Sequence, residues 1–122
     1  RSVDPLLRLS DAGRAVVLTS SVAHSARAFW APYAASKAAV ETMMRSWAHE
    51  TETLPLRVNA FDPGRTRTAM RAQAMPGEDP ETVPHPSEAA ETMLPLFDPA
   101  LTETGKIFQA QGGRFVAHRL PQ

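Results

Sequence analysis

Tyr33 and Lys37 stand four residues apart in the stretch PYAASKAAV, which starts at Pro32. Four residues is about one turn of an α-helix, so the two side chains would share a face. A phenol ordinarily titrates near pH ~10 and is a poor proton carrier at neutral pH. An ammonium a few ångströms away stabilises a phenolate, and such a tyrosine could pass a proton to or from a substrate oxygen. Upstream, Thr19-Ser20-Ser21 closes a short apolar run, and a hydroxyl there could hold that same oxygen. Spacing alone does not make a site of these residues, because most tyrosine–lysine pairs one turn apart simply decorate a helix surface.

The other reactive side chains point away from competing chemistries. His24, His49, His85 and His118 are scattered without metal-ligand spacing, which argues against a metal site. Glu41, Glu50 and Glu52 are expected on a solvated helix face. Ser36-Lys37 lacks the Ser-x-x-Lys spacing of penicillin-binding hydrolases. A hydrolase built on Ser20 or Ser21 would lack a placed histidine–carboxylate pair. Asn59 is expected to satisfy backbone groups around it, and Pro63-Gly64 by itself is a turn after a strand.

Thirteen basic and thirteen acidic residues cancel in this 122-residue chain, and no basic run interleaves with aromatics. That argues against nucleic acid or an anionic membrane as the main partner. There is no cysteine, so disulfide and thiolate chemistry are excluded and a reducing compartment, the cytoplasm, is the default. No apolar run approaches the ~20 residues of a membrane-spanning helix. The opening RSVDPLLRLS is too charged for a signal peptide. It has no initiator methionine and resembles the tail of a helix, as part of a longer protein would.

The elements that must position these residues alternate. Leu6, Leu7 and Leu9 suggest a helix end, with Gly13 as its stop signal. Ala15 to Ser20 is a β-branched run without alternation, suited to a parallel strand buried on both faces. A loop of small residues follows, and a long helix is expected from about Tyr33 to about Glu52, with Ala38, Val40, Met43, Met44 and Trp47 apolar. Leu56 to Phe61 is a second strand. Residues 71–86 hold four prolines and are expected to be a mobile loop. A helix capped by Ser87 and a third strand at Lys106 to Gln109 complete an α/β order, for which parallel strands and right-handed crossovers are expected.

Four elements in this order resemble the short-chain dehydrogenase/reductase family: the strand and serine of GRAVVLTSS, the YAASK motif, the Pro-Gly segment RVNAFDPGRTRT, and the closing TETGKIFQAQGG. TRTAMRA further resembles a poorly characterised bacterial subgroup. The resemblance implies the C-terminal half of a doubly wound, Rossmann-type domain with about three parallel strands. It implies Tyr33 as acid/base, with Lys37 assisting it and binding the nicotinamide ribose of NAD or NADP. The catalytic serine, usually 13 residues before the tyrosine, would be Ser20, with Ser21 the alternative. Pro63, Gly64, Thr66 and Thr68 match the family's cofactor-flanking loop. Phe29 and Trp30 would form a substrate-pocket wall or a subunit contact. A small carbonyl or alcohol substrate and a homodimer or homotetramer are implied, with 71–86 as a lid.

The resemblance also exposes a gap. The six glycines, at 13, 64, 77, 105, 112 and 113, form no glycine-rich turn for a cofactor pyrophosphate. The family's asparagine-bearing helix would precede Arg1. A chain lacking that half would leave the edge of its first strand bare and ready to pair. A catalytically incomplete module for oligomerisation or binding is therefore the competing expectation.

Overall fold

The computed structural model describes residues 2–25 and 27–116; His118 lies outside them. Helix α1 (Asp4–Leu9) carries Pro5 in its first turn, where a missing N–H breaks no helical bond. Asp4 accepts hydrogen bonds from Arg8 Nε and from Trp47 Nε1, both at 2.8 Å, and so ties α1 to the long helix. Gly13 does not end α1. It opens strand β1 (Gly13–Leu18), and a methyl group on it would meet the Leu7 carbonyl oxygen at 2.6 Å. Glycine is needed there for close approach of two backbones.

Helix α2 (Ala31–Glu50) starts slightly earlier than expected, because Pro32 fits the first turn. Strand β2 (Leu56–Asp62) follows, then helix α3 (Ala69–Ala74), helix α4 (Pro86–Met93), and strands β3 (Ile107–Gln109) and β4 (Arg114–Val116). The sheet order is β1-β2-β3-β4. The first two pairings are parallel, running from Gly13 opposite Leu56 to Leu18 opposite Phe61, with Ala60 opposite Ile107. The expected three parallel strands are present. An unexpected fourth, β4, pairs antiparallel with β3 through a turn in which Gly112 and Gly113 both take positive φ.

Alternation in β2 divides the core. Leu56, Val58 and Ala60 face α2 and pack with Met44, Ala48 and Ile107. Phe61 faces the other way and packs with Phe108 and Leu96, with Val16, Met93 and Phe115 at the rim. Fully burying an aliphatic side chain such as Leu56 stabilises by about 1.5–3 kcal/mol. Asn59 satisfies backbone groups as expected: its Nδ2 donates to Glu103 O at 2.8 Å, and its Oδ1 accepts from Lys106 N at 3.1 Å.

The two faces correct one expectation. Both crossovers step in the same direction across the sheet, yet α2 covers one face while α4 and the turn Leu94–Phe97 cover the other. Equal steps over opposite faces have opposite hands, so they are not both right-handed. The aromatic face of Phe61 and Phe108 needs a cover, and the second crossover supplies it.

Two further expectations change. Helix α4 is capped by His85, not Ser87: His85 Nδ1 accepts from Ser87 N at 3.3 Å and its backbone N–H donates to Glu88 Oε1 at 2.9 Å. Pro86 occupies the first helical position, which makes the residue before it the cap. The outer edge of β1 has no partner strand among the described residues. Beside it runs an apolar groove lined by Val17, Val40, Met43, Met44 and Trp47.

Candidate active site

Helix α2 sets Tyr33 and Lys37 on one face. Lys37 Nζ lies 5.7 Å from the Tyr33 ring centroid and donates to Leu18 O at 3.1 Å. The lysine thus links the tyrosine to the end of β1. The Trp30 ring meets Tyr33 edge-on at 5.9 Å, and the Arg27 guanidinium lies 4.5 Å from the Trp30 ring centre. Ser36 Oγ donates to Tyr33 O at 2.7 Å, a local helix bond that keeps Ser36 out of the chemistry. Phe29, just before Trp30, is fully exposed and has φ +69, strained for a residue with a Cβ.

β1 ends at Leu18, so Thr19 and Ser20 lie just beyond the strand. Thr19 N donates to Phe61 O at 2.9 Å. Ser20 caps a single 3₁₀ turn, Ser21–Ala23, its hydroxyl oxygen accepting from Val22 N at 3.4 Å. Ser21 is exposed as the first residue of that turn.

Glu41 corrects the solvated-face expectation. It is 2% exposed, and its carboxylate accepts from Thr19 Oγ1 while standing 2.8 Å from His24 Nε2. The missed signal was helix phase. Glu41 lies eight residues after Tyr33 and three before buried Met44, on one stripe.

These groups border a cavity of about 520 Å³ at the carboxyl ends of the strands, lined by Thr19, Ser20, Ser21, His24, Glu41 and Asp62 from one side. Gln109 and Arg114 contribute from the hairpin. Such a position is where open α/β sheets receive ligands. Tyr33, Lys37, Phe29, Trp30 and residues 63–68 do not line this cavity. The strand-end serines line this cavity, and the tyrosine–lysine pair is joined to them through Leu18 and α2.

The Pro-Gly loop leaves the sheet after Asp62, whose Oδ1 accepts from Gly64 N at 3.0 Å. Gly64 has φ +68, and nothing lies within 4 Å of where a Cβ would sit. Conformation rather than crowding demands glycine there. Thr66 Oγ1 reaches Gly64 O at 3.5 Å, and Thr68 caps α3 by accepting from Arg71 N at 3.2 Å.

Residues 71–86, expected to be mobile, are clasped instead. Arg71 makes two bonds to Glu78, at 2.7 and 2.9 Å, with Arg65 3.6 Å from the same carboxylate. Arg67 donates to Glu81 at 3.0 Å and to Val83 O at 3.1 Å. The Arg71 hydrogen bond holds the Glu78 carboxyl below its ordinary range. A depressed carboxyl stabilises above its unfolded value and loses that contribution as pH falls through the folded one. Acidification below the carboxylate range, or Glu78→Gln, is therefore expected to lower hydrogen-exchange protection at the Arg67 and Val83 amides several-fold. Unchanged protection would show that the clasp does not hold the segment.

A family profile described as short chain dehydrogenase matches residues 1–79. The chain belongs to the short-chain dehydrogenase family. It is 49% identical over 111 residues to an uncharacterized oxidoreductase, YciK, of Escherichia coli strain K12, covering 90% of this chain and 44% of that protein. It is 34% identical over 110 residues to carbonyl reductase family member 4 of Danio rerio, covering 86% of this chain and 46% of that one. Among solved structures, a short chain dehydrogenase of Salmonella enterica serovar Typhi superposes with a TM-score of 0.85 at 45% identity, over 90% of this chain and 46% of that chain. A Shigella flexneri short chain dehydrogenase complexed with NADP gives 0.84 at 47% identity, with the same coverage. This short-chain dehydrogenase chain thus spans about half the length of the relatives it matches. Its mostly parallel, helix-flanked sheet matches the fold of those neighbours.

Proposed function

We propose that the chain carries the acid/base half of an oxidoreductase that moves hydride between NAD or NADP and a carbonyl or alcohol carbon. The observation that carries this reading is the pairing on α2, where Lys37 contacts the Tyr33 ring and the main chain of Leu18 two residues before Ser20. The NADP bound by the Shigella relative and the carbonyl reductase name of the Danio relative support it. In this reading Tyr33 gives its phenolic proton to the carbonyl oxygen in reduction and takes one back in oxidation. Lys37 stabilises the phenolate as the proton leaves and holds ribose hydroxyls. Ser20 donates a hydrogen bond to the reacting oxygen, with Ser21 beside it on the substrate side. Phe29 and Trp30 border the substrate.

A nicotinamide bound here would supply or receive the hydride. The Pro63, Gly64, Thr66 and Thr68 loop fits its ring end, because Gly64 leaves open backbone there. No glycine-rich turn for a pyrophosphate is present among the six glycines, so the fit stops at that end. The test uses the protein with its cofactor-binding half. Nicotinamide absorbance is followed with NADPH or NADH against a panel of aldehydes and ketones. Substrate-dependent oxidation of one cofactor is expected, and none with either across the panel would overturn the reading.

The bare β1 edge favours a second reading for the chain by itself, a non-catalytic pairing module. Calorimetric titration of the 122-residue chain separates the two. Tight cofactor binding excludes the module.

A further inference from the structure

Glu41 is an acid that the chemistry above leaves unused, and it is among the largest fully buried side chains of the chain. We infer that Glu41 is a positioning residue, a buried carboxylate that grips both shoulders of the Ser20 turn and fixes the serine hydroxyl relative to the helix carrying Tyr33. The inference rests on the oxidoreductase reading of the site.

The geometry is local and specific. One carboxylate oxygen accepts from Thr19 Oγ1, the residue before Ser20, and the other stands 2.8 Å from His24 Nε2, just past the 3₁₀ turn. One helical turn back on α2, Lys37 holds Leu18 O. Residues 18, 19 and 24 are thus all tied to α2, and only 20–23 lie between the ties. That short span closes on itself, with Ala23 N bonded to Ser20 O at 3.0 Å and His24 N to Ser21 O at 3.1 Å. The Ser20 hydroxyl, set by Val22 N, inherits its place from this frame. Asp62, the other carboxylate on the cavity wall, is engaged by Gly64 N.

Stability alone does not explain an acid at this position. Replacing a buried ion pair by well-packed apolar groups is often neutral or stabilising, and apolar Met44 and Ala48 continue the same stripe of α2. A buried carboxylate hydrogen-bonded to Thr19, with its second oxygen 2.8 Å from His24 Nε2, instead specifies where that loop sits. Misplacing a reacting group by ~1 Å can cost ~100-fold in rate.

Two substitutions test this. Glu41→Leu keeps the stripe apolar and removes both ties, whereas Glu41→Gln can still accept from Thr19 and meet His24. In the 122-residue chain, Glu41→Leu should lower exchange protection of the Ala23 and His24 amides by ~10-fold against β2 amides, and Glu41→Gln should restore most of it. In the enzyme that includes the cofactor-binding half, Glu41→Leu should lower kcat by ~10–100-fold with cofactor KM little changed, and Glu41→Gln should recover it. Unchanged exchange overturns the inference. So does altered exchange with unchanged kcat, and so does a rate loss that follows Tm and that glutamine does not rescue. If the unsubstituted enzyme shows no turnover, the oxidoreductase reading fails and the positioning role with it, while exchange still reports whether the tether exists.

Discussion

Tyr33→Phe is expected to lower kcat by roughly 10²–10⁴-fold in the enzyme with its cofactor-binding half, the range general acid–base catalysis contributes. The substitution removes one oxygen and little else. The ring keeps its edge-on contact with Trp30 at 5.9 Å and its approach to Lys37 at 5.7 Å. Helix α2 keeps its phase, and Lys37 keeps its bond to Leu18 O. Unfolding stability should therefore stay within about ±0.5 kcal/mol, as for surface changes that disturb no packing. Nicotinamide binding should also persist, since Lys37 is untouched. Steady-state rates, cofactor titration and denaturant melts on the same preparation make the separation. Turnover that survives with normal stability would remove Tyr33 from the mechanism, and the serine would need another proton partner.

The tyrosine–lysine pair was legible because its physics is short-ranged: one helical turn, a proline at the helix start, and a strand-end serine upstream. The parallel strands were legible for a similar reason, since an unbroken apolar run such as AVVL reads as a strand, although β1 is only half-buried rather than covered on both faces and Leu18 is exposed. Glu41 escaped because residue type was weighed before helix phase. An acid two turns beyond Tyr33 falls on the buried stripe, and its partners, Thr19 and His24, belong to a loop whose path no local pattern gives. The clasp escaped for a related reason. Four prolines in 71–86 do break regular structure, but a loop becomes fixed when charges meet in space, and Arg71 on α3 meets Glu78 seven residues on, beyond the end of that helix. The cap of α4 and the hairpin to β4 were available. Pro86 marks His85 as the cap, and Gly112-Gly113 between two short apolar runs is a turn signal. The hand of the second crossover was not, because it depends on which face of β2 carries the larger unburied surface.

Two phenylalanines carry that last point into a measurement. Phe61 is 2% exposed, stacks near Phe108 at 6.4 Å, and through it reaches Phe115 at 5.1 Å. It anchors the face that the second crossover covers, and its carbonyl receives Thr19 N beside the serine turn. Phe61→Ala should cost about 3–5 kcal/mol, the usual loss for a buried aromatic, because the strand backbone cannot close the space left behind. Against a total stability of about 5–15 kcal/mol, that is between about a fifth and all of it, and at the low end of the range it leaves the chain partly unfolded at room temperature. Phe29 is the contrast: fully exposed, it holds φ +69 with no burial to offset the strain. Phe29→Gly should relieve a backbone cost of order 1 kcal/mol, partly offset by the entropy glycine adds to the unfolded chain, so stability stays level or rises. Urea melts of the two variants, with m-values compared, test both expectations. A loss at Phe29 approaching that at Phe61 would mean that the Phe29 ring is held by packing rather than by its backbone, and would move it from the rim of the site into its structure.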